Sequence, residues 1–349
     1  MTDPCHLEDP RAMGFFMPAE WARHSCCWMA WPCRAGLWND PAAVAREYAA
    51  VANAIARFEP VKMLAPPGKQ NEARALLDNN VTVIEMPIDD SWTRDSGPNF
   101  LINADNELAG STWTFNAWGG KYDPYDQDAR MGSRILRLAG AREFASPLVA
   151  EGGGVSVDGE GTVITTESCF PNPNRNPDLT RSEIESELGR TLGAEKVIWL
   201  PGDPEETETD GHVDGIAAFI EPGRVLLEIC PDPNLSHYTV GQRNLAALRG
   251  QTDARGRRLE IEIIHEGHYH PELWDRECRS YVNSYVANGA VIVPGYGEER
   301  DAAAVETYKR LYPERIVVQV QIGNIALGGG GIHCITQQQP ALAQQIQGN

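Results

Sequence analysis

The sequence predicts an α/β fold in which five divergent strand–turn–strand modules close into a ring. Three observations predict it. The chain opens with alternating helical and strand patterns, one hairpin grammar then recurs five times, and the helical stretches fall between the hairpins rather than in a block of their own.

In chain order, residues 41–58 place Val44, Tyr48, Val51, Ile55 and Phe58 at three- and four-residue steps, the spacing of an amphipathic helix. VKMLAPP (61–67) reads as a buried strand, residues 68–79 as a second helix, and VTVIEMPI (81–88) as a second strand. The recurring modules are 94–111, 151–166, 211–229, 279–294 and 328–340. Each has a polar residue, a short strand of small and apolar residues, and a turn. The turns contain Asp-Asn, Asp-Gly, Pro-Gly and Asn-Gly, which are hairpin signals. The last module lacks a second strand, and CCWMAWP (26–32) would supply one if the chain closes on itself. Helices are expected at 128–140, 178–192, 236–249 and 301–311. Module starts lie roughly 50 to 70 residues apart, too irregular for tandem repeats. A ring of such units buries its strands around an axis and brings the polar residue of each module toward that axis.

The charge excludes some classes of partner. Asp and Glu number 49 against 30 Lys and Arg, a net charge of −19, which argues against nucleic acid or an anionic membrane. It is compatible with a small cationic substrate, although solubility alone accounts for such a balance. No stretch approaches the ~20 apolar residues of a membrane span, and the polar N-terminus MTDPCHLEDP is not a secretory signal. Cys5, Cys26, Cys27, Cys33, Cys169, Cys230, Cys278 and Cys334 show no repeating spacing. Reduced thiols in a cytoplasmic enzyme are the expectation.

The modules supply Asp95, Glu151, His212 with Asp214, Asn283 and Cys334 at their strand entrances. Cys334 follows four glycines, Gly328 to Gly331, which suit a tight bend or a close approach to a ligand. That makes it a candidate nucleophile rather than a core thiol. In GHVDG, strand periodicity would turn His212 and Asp214 to one side. Asp95 sits in WTRDSGP, where Arg94 could simply pair with it. A thiolate beside several carboxylates is disfavoured unless a cation lies between them. A planar guanidinium fits, because its N–H forks match carboxylate oxygens. HEGHYH (265–270) is the competing metal reading, but it lacks the H-E-x-x-H spacing. The glycine run is followed by Ile-His-Cys and is no P-loop, and no serine sits in a G-x-S-x-G elbow.

The stretches 26–38, MPIDDSWTRDSGPNFL (86–101), EGGGVSVDGEG (151–161), TDGHVDG (209–215), 280–294 and GGGGIHCITQQQP (328–340) closely resemble the agmatine deiminases of the pentein, or guanidino-group-modifying, superfamily. The resemblance runs from about residue 12 to about residue 341. It implies one catalytic domain over residues 1–349, folded as a five-bladed α/β propeller with pseudo-fivefold symmetry. It implies hydrolysis of agmatine to N-carbamoylputrescine and ammonia without metal or organic cofactor, and an assembly such as a homodimer. By motif position, Cys334 is the implied nucleophile and His212 the general acid and base. Asp95 and Asp214 are the guanidinium clamp, and Glu151 partners the imidazole or the guanidinium. Glu208 and Asn283 are implied substrate contacts, with Trp92, Trp118 and Gly331 as further candidate substrate contacts. The far wall should be acidic or aromatic to receive an amine, with Asp89 and Asp90 as further candidates. Arg94 and Arg175 keep a peptidylarginine or arginine deiminase open, and a non-catalytic polyamine-binding protein is the rival from another class.

Overall fold

The computed structural model of the protein describes residues 8–268 and 277–343. Sixteen strands are described. The chain opens with β1 (His24–Ala30), β2 (Val61–Ala65) and β3 (Val81–Glu85), which pair in parallel. Four three-stranded units follow: β4 (Asn99–Ile102), β5 (Leu108–Thr114) and β6 (Arg142–Val149); β7 (Ser156–Val157), β8 (Thr162–Thr166) and β9 (Lys196–Leu200); β10 (Ala217–Glu221), β11 (Arg224–Ile229) and β12 (Glu260–His265); β13 (Tyr285–Ala287), β14 (Ala290–Gly295) and β15 (Ile316–Gln321). The last strand, β16 (Gln337–Pro340), returns to the first sheet and pairs antiparallel with β1, so Cys27 faces Gln338 and Trp28 faces Gln337. The chain thus closes on itself through the segment the sequence nominated. Each sheet packs against the next, and the β13–β15 unit packs against the helix Pro41–Ala56 of the first, which completes a ring of five.

Within each of the four units the first two strands form an antiparallel hairpin and the third pairs in parallel with the second after a helix. The hairpin turns place Asn106, Gly159, Gly223 and Gly289 at φ between 64° and 79°, the left-handed conformation their residue types tolerate. The third strand is not among the elements the sequence pattern predicts. Arg142–Val149 carries a proline and a charged first pair, and Glu260–His265 alternates acid with isoleucine, so neither reads as a buried run.

Helix boundaries follow local chemistry. Pro41–Ala56 starts at Asp40, whose side chain accepts the Ala43 N–H, and ends two residues before the expected Phe58, ahead of Pro60. The second strand stops at Ala65 because Pro66 and Pro67 cannot extend a ladder. Arg181–Leu192 begins three residues after residue 178, at a capping box between Thr180 and Glu183, and stops at Gly193 with φ 75°. Asp128–Arg130 is a 3-10 turn that leads into the helix Met131–Ala139. Ser236–Leu248 and Arg300–Leu311 lie where periodicity put them. Apolar cores fill the space between sheets and helices, the largest holding Trp31, Tyr48, Met63, Ile292 and Ile335. No described helix is long and apolar enough to cross a membrane.

Candidate active site

Each unit is entered through a connector, and the connectors carry the predicted polar residues. Asp95 lies in the helical turn Thr93–Ser96 before β4. Glu151 precedes the 3-10 turn Gly152–Gly154 before β7. His212 precedes the 3-10 turn Val213–Gly215 before β10, and Asp214 lies within it. Asn283 and Cys334 occupy the bends before β13 and β16. The expectation that His212 and Asp214 share one face of a strand is therefore corrected. They sit on a tight turn that follows Gly211, whose φ is 80°, and tertiary folding brings them together.

Gly153 marks the meeting point. A methyl group added there would lie 2.6 Å from His212 Nδ1, 2.8 Å from Asp95 Oδ1 and 2.9 Å from Asp214 Oδ2. The Gly153 N–H donates to Asp95 Oδ1 at 2.9 Å and the Trp118 Nε1–H donates to Asp95 Oδ2 at 2.9 Å, so both carboxylate oxygens are held. His212 Nε2 lies 3.2 Å from Glu151 Oε2, and its Nδ1 faces Asp95 Oδ1 at 3.7 Å. Asn283 grips the cysteine from two sides. Its Oδ1 accepts the Cys334 N–H at 3.2 Å and its Nδ2–H approaches Sγ at 3.1 Å. Cys334 Sγ is 3.5 Å from Asp214 Oδ2. Gly331 lets Asn283 come this close, since a methyl group there would sit 2.5 Å from its Oδ1.

His212, Asp214, Asn283, Gly329 and Cys334 open onto one cavity of about 420 Å³, within the range of small-molecule sites. Its remaining wall is strongly acidic, with Asp203, Glu205, Glu206, Glu228, Glu266 and Glu277. Arg279 is the arginine among the described lining residues, and it is already paired with Glu277 at 2.6 Å and Glu298 at 3.5 Å.

Several candidates stand elsewhere. Trp92 packs on Trp38 with ring centroids 5.6 Å apart and abuts Gly330. Glu208 accepts the Tyr122 hydroxyl at 2.6 Å beside the Lys121 contact to its carbonyl. Asp90 pairs with Arg34 at 2.5 Å, and Asp89 accepts the Gln127 N–H at 2.7 Å. Arg94 does not pair with Asp95. It donates to Gln337 and Gln338 at 2.8 Å each and lies 3.6 Å from Glu20. Of HEGHYH, His268 engages Glu298 at 3.0 Å, the exposed His265 ends β12, and His270 lies outside the described residues.

The surroundings set the protonation states. Burial pushes the Cys334 thiol well above its usual range, and Asp214, Cys278 and Asp95 push the same way. Burial disfavours charge on His212, but Asp95, Cys169 and Glu151 outweigh it and raise the imidazole well above its usual range. Burial likewise raises Asp95, helped by Asp214 and Glu151 against the opposing charge of His212. Burial opposes ionisation of Glu151 too, but Arg175 and His212 hold it low. Arg175 is the residue that sequence reasoning left on the wrong account. Its Nε–H is shared between both Glu151 oxygens at 3.0 Å, and its Nη1–H reaches Asp210 at 2.5 Å, so it braces the site rather than greeting a substrate. Cys169 and His333 were missed altogether. Glu151, Cys169 and His212 could share a metal ion, as their ligand atoms lie within 4.8 Å of one another. A cation there would have to compete with the guanidinium already on Glu151.

Residues 16–340 match the family described as Porphyromonas-type peptidyl-arginine deiminase. The chain belongs to that family. Within it, the chain is 44% identical over 362 residues to the agmatine deiminase of Stutzerimonas stutzeri, covering 95% of this chain and 97% of that one. It is 43% identical over 359 residues to the agmatine deiminase of Pseudomonas fluorescens, with 95% and 97% covered. The solved agmatine deiminase of Enterococcus faecalis superposes with a TM-score of 0.91 at 36% identity, over 95% of this chain and 98% of that one. The ring of five units is accordingly the pseudo-fivefold α/β propeller of the pentein fold.

Proposed function

We propose that the chain is an agmatine deiminase, a hydrolase of the guanidinium C–N bond, formed by one catalytic unit that spans residues 1–349. The observation that carries this is the convergence of Asp95, His212 and Asp214 on Gly153, with Glu151 on the imidazole and Cys334 beside Asp214, where His212, Asp214 and Cys334 line an acidic cavity. Its wall supports agmatine over arginine. An amine suits Glu205, Glu206 and Glu266, whereas an α-carboxylate would need a cation that Arg279, committed to two glutamates, does not offer.

In this reading Asp95 and Asp214 bind the guanidinium and orient it. Burial and the nearby carboxylates keep Cys334 protonated; the guanidinium charge offsets the carboxylates, so the thiol releases its proton to solvent as substrate enters. The thiolate adds to the central carbon, forming a C–S bond. The His212 imidazolium protonates the departing nitrogen, the C–N bond breaks and ammonia leaves a thiouronium. Neutral His212 takes a proton from water. The resulting hydroxide attacks the same carbon, the C–S bond breaks to release the thiolate, and the protonated ureido product loses its remaining hydroxyl proton to solvent as it leaves. Glu151, neutralised on its other side by Arg175, keeps the imidazole in place. No step draws on a metal or organic cofactor. Glu208, Trp92, Trp118, Asn283 and Gly331 are proposed substrate contacts, of which Asn283 lines the cavity. Asn283 and Trp118 act through Cys334 and Asp95. A cytoplasmic enzyme and a homodimer complete the proposal, with neither nucleic acid nor membrane as partner.

The test is a comparison of purified protein on agmatine, free arginine and a blocked arginyl peptide, with ureido product and ammonia measured. Agmatine should be strongly preferred, and preference for either of the others would overturn the assignment. Cys334→Ser should retain the native circular dichroism and lose turnover; a serine variant at near-native rate would rule out the nucleophile.

A further inference from the structure

The cysteine loop carries a second functional side chain one residue earlier. His333 is buried, and both of its ring nitrogens meet carboxylates. Nδ1 lies 2.8 Å from Asp214 Oδ2 and Nε2 lies 2.7 Å from Glu20 Oε1. An ionised carboxylate only accepts, and a neutral imidazole carries one N–H, so two such contacts are both satisfied by the imidazolium. The chain of contacts continues in both directions. Arg94 Nη1 lies 3.6 Å from Glu20, and Asp214 Oδ2 lies 3.5 Å from Cys334 Sγ. Glu20, His333 and Asp214 also line a second, small cavity of about 20 Å³. Glu20 comes from the loop before β1, so the contact joins positions 313 residues apart.

We propose that His333 is a positioning residue: it stays protonated between Glu20 and Asp214, fixes the Asp214 rotamer and holds that carboxylate ionised before a guanidinium arrives. The proposal rests on the deiminase reading of the site. The groups that face Asp214 explain the need. Burial opposes its ionisation, while His333, His212 and Arg94 favour it, and the resulting negative charge in turn raises Asp95, Cys334 and Cys278. Burial pulls Asp214 up, yet the His333 hydrogen bond and charge bring it below the usual carboxylate range. Burial and Arg94 pull His333 down, and the two carboxylates more than offset them. Burial acts against Glu20 as well, but His333 and Arg94 hold it at about 2. Asp95, with no such dedicated cation, goes the other way. The clamp is therefore asymmetric, with one arm charged in advance by His333.

His333→Asn keeps a donor near the Nδ1 position and removes the charge. Asp214 then retains a proton to higher pH, and the substrate must displace it. The acidic limb of kcat/KM should move up by roughly one pH unit, a loss of about tenfold on that limb. KM should carry the loss while kcat at saturating agmatine stays within about threefold. A uniform fall in kcat at every pH, with the limb unmoved, would mean a merely structural role and overturn the proposal. Wild-type protein inert toward agmatine would instead sink the deiminase reading. Neutron diffraction from wild-type crystals at neutral pD decides the point without turnover or a folded variant. Deuterons are expected on both Nδ1 and Nε2 of His333, and a single deuteron overturns the proposal.

Discussion

Asp95 receives two hydrogen bonds, and the one from Trp118 is secured at some conformational expense. Ala117 and Trp118 both adopt φ 56°, a left-handed conformation uncommon outside glycine, and Gly119 and Gly120 continue it at 93° and 79°. The indole is thereby turned so that Nε1 meets Asp95 Oδ2. Trp118→Phe keeps an aromatic ring of smaller size and removes the donor. A hydrogen bond to a charged group is worth about 1.5–3 kcal/mol, so kcat/KM should fall by roughly 10- to 100-fold. Since the lost donor favoured the anion, the Asp95 pKa rises further, and the loss should deepen as pH falls. A pH–rate profile of the variant checks both the size and the sign.

The connectors, more than the strands, are the functional elements. Gly152, Gly153 and Gly154 are packed differently although they form one turn. An added methyl group would strike the Arg94 carbonyl oxygen at 2.3 Å from Gly152 and the Phe170 ring at 2.4 Å from Gly154, but would enter the reaction space from Gly153. Gly153→Ala should therefore abolish agmatine turnover while the melting temperature drops by only a few degrees. Gly152→Ala should destabilise the fold, because backbone does not yield as side chain does. Thermal melts and assays of the two variants separate these outcomes. The third element of note is the loop around Arg175, which couples the Glu151 turn to Asp210 and the Thr209 carbonyl, and so to the turn that carries His212. Part of this was legible in the residues. The hairpin turns, the glycine run and the polar residue at each entrance were read directly. The supports were not, because Arg175 reads as a contact for a peptidylarginine or arginine substrate and Glu20 has no motif around it.

Across the whole molecule, acidic residues buried without a cation make stability depend on pH in an unusual direction. Burial raises Glu228 to about 8, aided by Glu266, and raises Asp128 to about 7 against hydrogen bonds from the backbone. Both folded-state values lie above those of the unfolded chain, so the native state binds more protons between the two. That contribution is complete below the unfolded carboxylate range and is lost as pH rises through about 7 and 8. Urea denaturation should therefore show stability falling between about pH 4 and pH 8, with each such proton contributing a slope of about 1.4 kcal/mol per pH unit. Glu228→Gln, which keeps the size and the acceptor for the Tyr281 N–H, should flatten the upper part of that fall.

The order of helices and hairpins, and the set of residue types available for chemistry, followed from local patterns: hydrophobic period, turn residues and glycine placement act over a few positions and are written in neighbouring letters. The closure of β16 on β1 was also readable, because a lone strand demands a partner. What neighbouring letters could not convey is which distant side chains share low-dielectric space. His212 and Asp214 reach one point from a tight turn rather than a strand, Arg175 braces Glu151 instead of meeting a substrate, and Glu20 charges His333 across 313 positions. Those pairings arise only when the ring shuts and excludes water, for only then does a buried charge require its particular counter-ion.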